Sequence, residues 1–456
     1  MLALGCFANK NSGSFAEYIL GGRSFGPIII GISCIASDVS VGTFTVVMSM
    51  IYKFGASRMW MDVSFFVFTV LCWKLISKKL RVLSAKLDNA VTIPQYFARR
   101  FNDATVGFIS AIIIVFFLTF YIASNFLGFA KVMHDTLNVP VTTSYLCVFL
   151  ITVTYVTMGG FRATCITDIL QGLIMIAVSV ILPAILAFKL GIEPLLDAIS
   201  MRPQTSSANV NQQELLRTLI YLSFGLCTFG NVNLMTKFMA AKSYQSLNQA
   251  RNISVSMHLL MYIGLATSAF YAVSVLDYAK DSEVILFQLS KAFLNPALNA
   301  MVVCAMIAAM MSTVDSLLII CSGCITSDIY CRFAKYKNSA HLVRVTRVMT
   351  VLVSVIALLA SVFFSKSVLK LAILAVAGLG SSIGPLMLFS IYKNSVSSLS
   401  AKLGLICPAM LVLCSFLFFD LKDPHYIFLP SFLLSLLVIL VSEYKSLYFF
   451  TYKKLN

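Results

Sequence analysis

Ile35-Ala36-Ser37-Asp38-Val39-Ser40-Val41-Gly42-Thr43 lies at the centre of an apolar run from about Pro27 to Ile51. Roughly 20 apolar residues are enough to cross about 30 Å of hydrocarbon, so the run is long enough to span a bilayer. Its middle nonetheless carries a carboxylate and the hydroxyls of Ser37, Ser40 and Thr43. A second segment, Ala309-Met310-Met311-Ser312-Thr313-Val314-Asp315-Ser316, is placed the same way inside a run from about Pro296 to Ile325. Such groups are tolerated at mid-depth only where they face a cavity, an ion or one another. Two of these places indicate an ion and a small solute bound near the bilayer centre, as in a transporter.

The rest of the chain agrees with a membrane setting. It is 59% hydrophobic and only 11% charged, with mean hydropathy +0.91, against about a quarter charged in a soluble domain. Twelve apolar runs of spanning length lie near 27–51, 59–77, 105–130, 142–158, 166–188, 218–236, 252–276, 297–325, 345–364, 368–392, 403–419 and 426–443. None alternates strictly with a two-residue period, which excludes a membrane β-barrel. The expected fold is an all-α integral membrane protein of about twelve helices, a single transporter domain over 1–456.

The net charge of +16 invites a nucleic-acid reading. Its distribution argues otherwise. With the N-terminus inside, most Lys and Arg fall on one side, including Lys10, Arg23, the group from Lys74 to Arg100, Lys237, and Arg332 to Arg347. That asymmetry is the positive-inside pattern. It predicts a multi-pass protein of the plasma (inner) membrane with both termini cytoplasmic, in contact with lipid and not with nucleic acid. The connection from Met201 to Glu214 is then external. The 12 cysteines are scattered through apolar runs and read as buried thiols, the lone Cys321/Cys324 pair included.

Interrupted helices at matching places in two halves are a mark of inverted repeats with a site at their interface. The first and eighth runs each carry a central polar break. The formal partner of the first is the sixth, whose Ser223-Phe224-Gly225-Leu226-Cys227-Thr228-Phe229-Gly230-Asn231 is glycine-broken and polar. This gives repeats over 26–190 and 216–393, with two extra C-terminal helices over 402–443.

Ala36 and Val39 have no ligating side chain, but in an unwound stretch their carbonyls can hold an ion stripped of water. Ala309, Ser312 and Thr313 form one patch by their spacing. Together with the first break they make an oxygen-rich cage of the kind a hard cation prefers. Asp38 stands halfway down its run, as a functional carboxylate or as a brace to a neighbouring helix. Asp315 reads equally as part of an ion pathway or as a structural pair. Asp168, after Gly159-Gly160, is placed to cap a helix or to gate an inner vestibule. Gly378 and Gly380, with Ser381, Ser382, Gly384 and Pro385, read as conformational, permitting close packing or a hinge. Tyr121, with Ser124 and Asn125, gives its run a polar-tipped face.

Enzyme constellations are absent: no HExxH, no GxSxG, no phosphate-binding loop, and four dispersed histidines. No enzyme activity is expected and no cofactor beyond a coupling ion. Without a nucleotide site, transport must be driven by an ion gradient.

Tyr18-Ile19-Leu20-Gly21-Gly22-Arg23-Ser24, Ala36-Ser37-Asp38-Val39-Ser40, Thr92-Ile93-Pro94-Gln95-Tyr96-Phe97, Gly159-Gly160-Phe161 through Thr167-Asp168, Lys237-Phe238-Met239-Ala240, Met311-Ser312-Thr313 and Ala377-Gly378-Leu379-Gly380 together resemble the solute:sodium symporter family, most closely its sodium/proline branch. The resemblance runs from about residue 14 to 395. It implies a five-plus-five inverted-repeat (leucine-transporter-type) core, alternating access, and sodium-coupled uptake of a small solute, proline or a related amino acid. It places Na+ on the carbonyls of Ala36, Val39 and Ala309 and the hydroxyls of Ser312 and Thr313, with Asp38 as the carboxylate needed for sodium affinity. Ser40 and Tyr121 take solute-site positions.

The chain departs from the proline branch at three places. Val41 stands where that branch has glycine, and Phe224 and Thr228 stand where it has a tryptophan and a tyrosine. Both latter positions belong to the solute pocket, so its polarity and shape change. Family members also carry one more helix ahead of the core, where this chain offers only Met1 to Ala8. Two alternatives follow: proton coupling through Asp38 or Asp315, and a non-transporting sensor or decayed symporter.

Overall fold

A computed structural model describes residues 14–40, 42–55, 58–200, 210–276, 285–334, 338–364, 367–393, 396–418 and 424–455. Val41, the Met1 to Ala8 segment and most of the Met201 to Glu214 connection lie outside them.

Among the described residues, the twelve apolar runs are mainly helical. The first is broken into α1 (Pro27–Asp38) and α2 (Met48–Phe54), joined by a wide turn over Gly42–Val47. α3 (Met59–Lys86) and α4 (Ala104–Leu137) are single crossings. α5 (Val141–Leu190) carries two runs in 50 residues, far more than one crossing needs. It bends at Gly160, whose φ of 56° and ψ of −157° are not helical. A Cβ there would also meet the Tyr18 carbonyl at 2.7 Å. The sixth run is broken again, with α6 (Leu215–Gly230) and α7 (Val232–Ala240) meeting at 40°. α8 (Ser246–Val275), α9 (Pro296–Phe333), α10 (Ser339–Phe363), α11 (Val368–Tyr392), α12 (Ser398–Phe418) and α13 (His425–Tyr444) complete the set.

One expectation is corrected here. The eighth run has a polar centre but no break: helix continues without interruption from Pro296 to Cys324. Its hydroxyls bond back to its own carbonyls, so polarity there does not unwind the backbone. α11 is likewise continuous through Gly378, Gly380 and Pro385. Those glycines admit neighbours, with Phe117 against Gly378 and Cys227 against Gly380.

The sixth-run break is seated on α11 in the same way. A Cβ on Gly230 would stand 2.4 Å from the Leu379 carbonyl oxygen. Gly230→Ala should therefore cost about 1–3 kcal/mol and lower the thermal unfolding midpoint of the detergent-solubilised protein. An unchanged midpoint would mean the two backbones are not this close.

α9 and α11 form the centre, each 89% buried along its apolar window, while α5, α12 and α13 are 28%, 39% and 33% buried. The outer helices turn Leu150, Leu173, Leu359 and Leu437 outward, each about half exposed, as lipid-facing side chains do.

At one end of the bundle, arginines bond backbone carbonyls at and just beyond helix ends. Arg81 Nε donates to Ala241 O at 2.7 Å, just past α7. Arg100 donates to Ser390 O and Lys393 O at 2.6 and 2.7 Å at the end of α11. Arg99 donates to Leu87 O at 2.8 Å, and Arg23 to Ala90 O at 2.9 Å. Carbonyls at and just past a helix end have no helical donor, and these cations supply one. Partial burial and the neighbouring Arg81 lower Arg23 to about 10, so it stays charged at neutral pH.

Candidate functional site

The first break frees backbone oxygens at mid-depth. α1 ends at Asp38, and Val39 is extended at φ −78°, ψ 92°. The Ala36 and Ser37 carbonyls thus lose their next-turn donors, and α9 supplies replacements. Ser312 Oγ donates to Ala36 O at 2.7 Å and to Ala309 O at 3.1 Å. Thr313 Oγ1 donates to Ser37 O at 3.1 Å and to Ala309 O at 3.0 Å. Ala36, Ala309, Ser312 and Thr313 therefore converge on one point, with Val39 at the break beside them. All five are at most 1% exposed. The donors gathered there are carbonyl and hydroxyl oxygens, the set that suits a hard cation.

The second break faces the first. Asn231 sits at φ −71°, ψ 93°, close to the conformation of Val39. Its side-chain oxygen caps α7 by accepting from Leu234 N at 3.1 Å. Its Nδ2 donates to Asp38 Oδ1 at 2.6 Å. Asn233 Nδ2 donates to both the carbonyl and hydroxyl of Ser37 at 3.1 Å. Asp38 thus ties the two breaks together, between the oxygen cage and the cavity it lines.

That cavity has a volume of about 140 Å³. A space of about 150 Å³ admits a molecule the size of benzene, so the cavity suits a small solute. Ser40, Tyr121, Phe224 and Thr228 all line it. The Ser40 and Tyr121 hydroxyls are 3.0 Å apart, and the buried Thr228 Oγ1 has no partner. Ser124 and Asn125 are not among the residues that line the cavity. Each donates to the Tyr121 carbonyl at 2.8 Å, one turn back on its own helix.

On the other side of α1 is a buried ionic network. Lys237 Nζ lies 2.8 Å from Asp168 Oδ2, both side chains fully buried. The ammonium also donates to Ser33 O and Oγ at 2.7 Å and to Ser37 Oγ at 2.5 Å. Ser33 Oγ donates to Asp168 at 2.5 Å. Two expectations fail on this geometry. Asp168 caps no helix, because α5 runs straight through it. Lys237 is no cytoplasmic surface charge, because it lies inside α7 at 0% exposure. Asp315 does not line the cavity; it accepts from Tyr155 Oη of α5 at 2.8 Å.

Sequence reasoning passed over Asn231, Asn233 and Ser33 as participants. The available signal was an amide directly after a glycine-broken stretch, which can cap the next half-helix and still reach across.

The pattern of the Sodium:solute symporter family matches residues 18–407. The sodium/proline symporter of Escherichia coli (strain K12) is 30% identical over 427 residues, 91% of this chain and 85% of that protein. The high-affinity proline transporter PutP of Bacillus subtilis (strain 168) is 28% identical, covering 96% and 94% of the two chains. Among solved structures, a substrate-bound, outward-open Na+-coupled sialic acid symporter superposes with a TM-score of 0.80 at 17% identity, covering 97% and 94%. A nucleobase-cation-symport-1 family transporter in a closed conformation gives 0.58 at 13% identity, covering 95% of each chain. These likenesses show a shared fold, the leucine-transporter-type five-plus-five architecture. With its fold and most of its length matched, the chain belongs to the sodium:solute symporter family, whose members couple solute movement to sodium.

Proposed function

We propose that this protein imports proline or a closely related small amino acid together with sodium, by alternating access. The carrying observation is the convergence of the Ala36, Ala309, Ser312 and Thr313 oxygens beside a solute-sized cavity lined by Asp38. In this reading Na+ takes those oxygens and the Val39 carbonyl. The solute lies among Ser40, Tyr121, Phe224 and Thr228. Repeats over 26–190 and 216–393 meet at the two breaks, with 402–443 outside the repeat, and both termini face the cytoplasm of a plasma-membrane protein. Asp168 and Asp315 belong to the packing that must rearrange during the cycle, with Gly378 and Gly380 permitting α11 to stay close.

Sodium binding would hold α1 against α9 and order the cavity, biasing closure of the outer side. The driving force is adequate. One sodium entering down 100 mV releases about 2.3 kcal/mol, and a tenfold concentration difference adds about 1.4 kcal/mol. Together these support accumulation of roughly several hundred-fold.

The test is uptake of labelled proline into proteoliposomes under an imposed sodium gradient, with candidate solutes as competitors. Sodium-dependent accumulation that collapses with a sodium ionophore is expected. Uptake that follows pH and ignores sodium would assign the coupling to protons. Binding without flux would make the protein a sensor.

A further inference from the structure

The ionisable wall of the cavity is unbalanced. Asp38 and Asp62 reach it as carboxylates, and no Lys or Arg lines it among the described residues. Asp38 is engaged by Asn231. Asp62 comes from the first turn of α3. The cation nearest it in sequence is Arg58, one turn earlier; its charge acts on Asp62 from nearby, but the guanidinium makes its contacts with other side chains. Arg58 Nη2 is 2.9 Å from His425 Nε2, and its Cζ lies 4.2 Å from the centre of the Tyr221 ring. Its Nε and Nη1 have no hydrogen-bond partner, and the side chain is 1% exposed. A guanidinium can only donate, so His425 Nε2 accepts and the imidazole that reaches the cavity is neutral.

What remains on that wall is one carboxylate among rings. Phe65 and Phe224, 5.7 Å apart edge to face, line the same space together with Tyr262. Aromatic faces attract cations, and more strongly when desolvated. The hydroxyl of Thr228, 3% exposed and without a partner, adds an acceptor there. This surface fits a positively charged nitrogen on a small, partly apolar frame.

We infer that Asp62 is a specificity-determining residue of the solute cavity, receiving a protonated amine of the solute. This rests on the solute-import reading above and narrows it. The amine is the required group: a cyclic amino acid qualifies through its ammonium, and a carboxylate without an amine does not.

Two probes separate the solute's charges: pyrrolidine, which keeps the ring ammonium, and cyclopentanecarboxylate, which keeps the ring and the acid. Against sodium-driven uptake of labelled proline, pyrrolidine is expected to compete and cyclopentanecarboxylate to have no effect. Asp62→Asn should raise the half-saturating proline concentration at least tenfold and abolish competition by pyrrolidine, with the sodium half-saturation unaltered when measured at saturating proline. An unchanged proline half-saturation with pyrrolidine still competing overturns the inference and leaves the symport reading standing. If the wild type moves no proline with sodium, the symport reading falls, and binding decides: pyrrolidine should raise the thermal midpoint of the wild type and not of Asp62→Asn. No rise in the wild type overturns the inference as well. Where Asp62→Asn does not fold, Asp62→Glu displaces the charge by one methylene and should weaken pyrrolidine competition several-fold; undiminished competition overturns the proposal.

Discussion

Lys237→Met should destabilise the protein by about 3–5 kcal/mol, the range for removing one partner of a buried ion pair. The reason is what the substitution strands. Asp168 is wholly buried, and its Oδ2 takes bonds only from Lys237 and Ser33 among the described residues, while Oδ1 has no partner. Without the ammonium, the carboxylate keeps one hydroxyl donor in a site that excludes water. Asp168→Leu should cost a similar amount, leaving the ammonium on Ser33 and Ser37. The double variant Asp168→Leu/Lys237→Met should be far closer to wild type than the sum of the two, because replacing a whole buried pair with apolar groups is often nearly neutral. Chemical unfolding of the solubilised protein in a double-mutant cycle measures this. Single losses under 1 kcal/mol, or strict additivity, would show that the pair is solvated and does not hold α1, α5 and α7 together.

The second large effect concerns the coupling ion. Ser312→Ala removes a hydroxyl that reaches both Ala36 O and Ala309 O. A lost hydrogen-bonding or ligating oxygen is worth about 1–3 kcal/mol, so the half-saturating sodium concentration should rise about five- to 150-fold. Thr313→Ala should act in the same direction, since its hydroxyl spans Ser37 O and Ala309 O. The diagnostic is reciprocity. Proline affinity should fall at low sodium and recover when sodium is raised, because coupling between two ligands is symmetric. Unchanged sodium dependence in both variants would count against the cage. A loss of proline affinity that no amount of sodium restores would mean these hydroxyls act on the solute directly.

Much of this architecture was legible from residues because a bilayer constrains sequence tightly. Helical spans follow from hydrocarbon thickness, and the apolar runs read from the sequence coincide with the long apolar helices of the fold. The break at Asp38-Val39 was legible because a carboxylate and hydroxyls at mid-depth need a reason. The eighth run shows the limit of that logic. Ser312, Thr313 and Asp315 made it equally polar, yet its hydroxyls bond within the helix and leave it straight. Polarity marks where partners must exist, not whether the backbone unwinds to provide them. Lys237 was misread for a related reason. A lysine near the end of a run is usually a loop charge, and only the packed fold shows α7 turning inward at Asn231 to bring it onto Asp168. The cross-break amides were hidden because their partners are about 190 residues away, |i−j| being 193 and 196.

The arginines that bond carbonyls at these helix ends have a consequence of their own. Their acceptors are peptide oxygens, which do not titrate, and Arg23 gives up its proton only near pH 10. A clasp built this way is blind to acidification, unlike one made of carboxylates. The bonds that hold the end of α11 and the segment after α7 to the stretch around Arg81 and Arg100 should therefore persist through acid stress, while the neighbouring Lys393–Glu443 and Lys402–Asp103 pairs, which use carboxylates, should weaken.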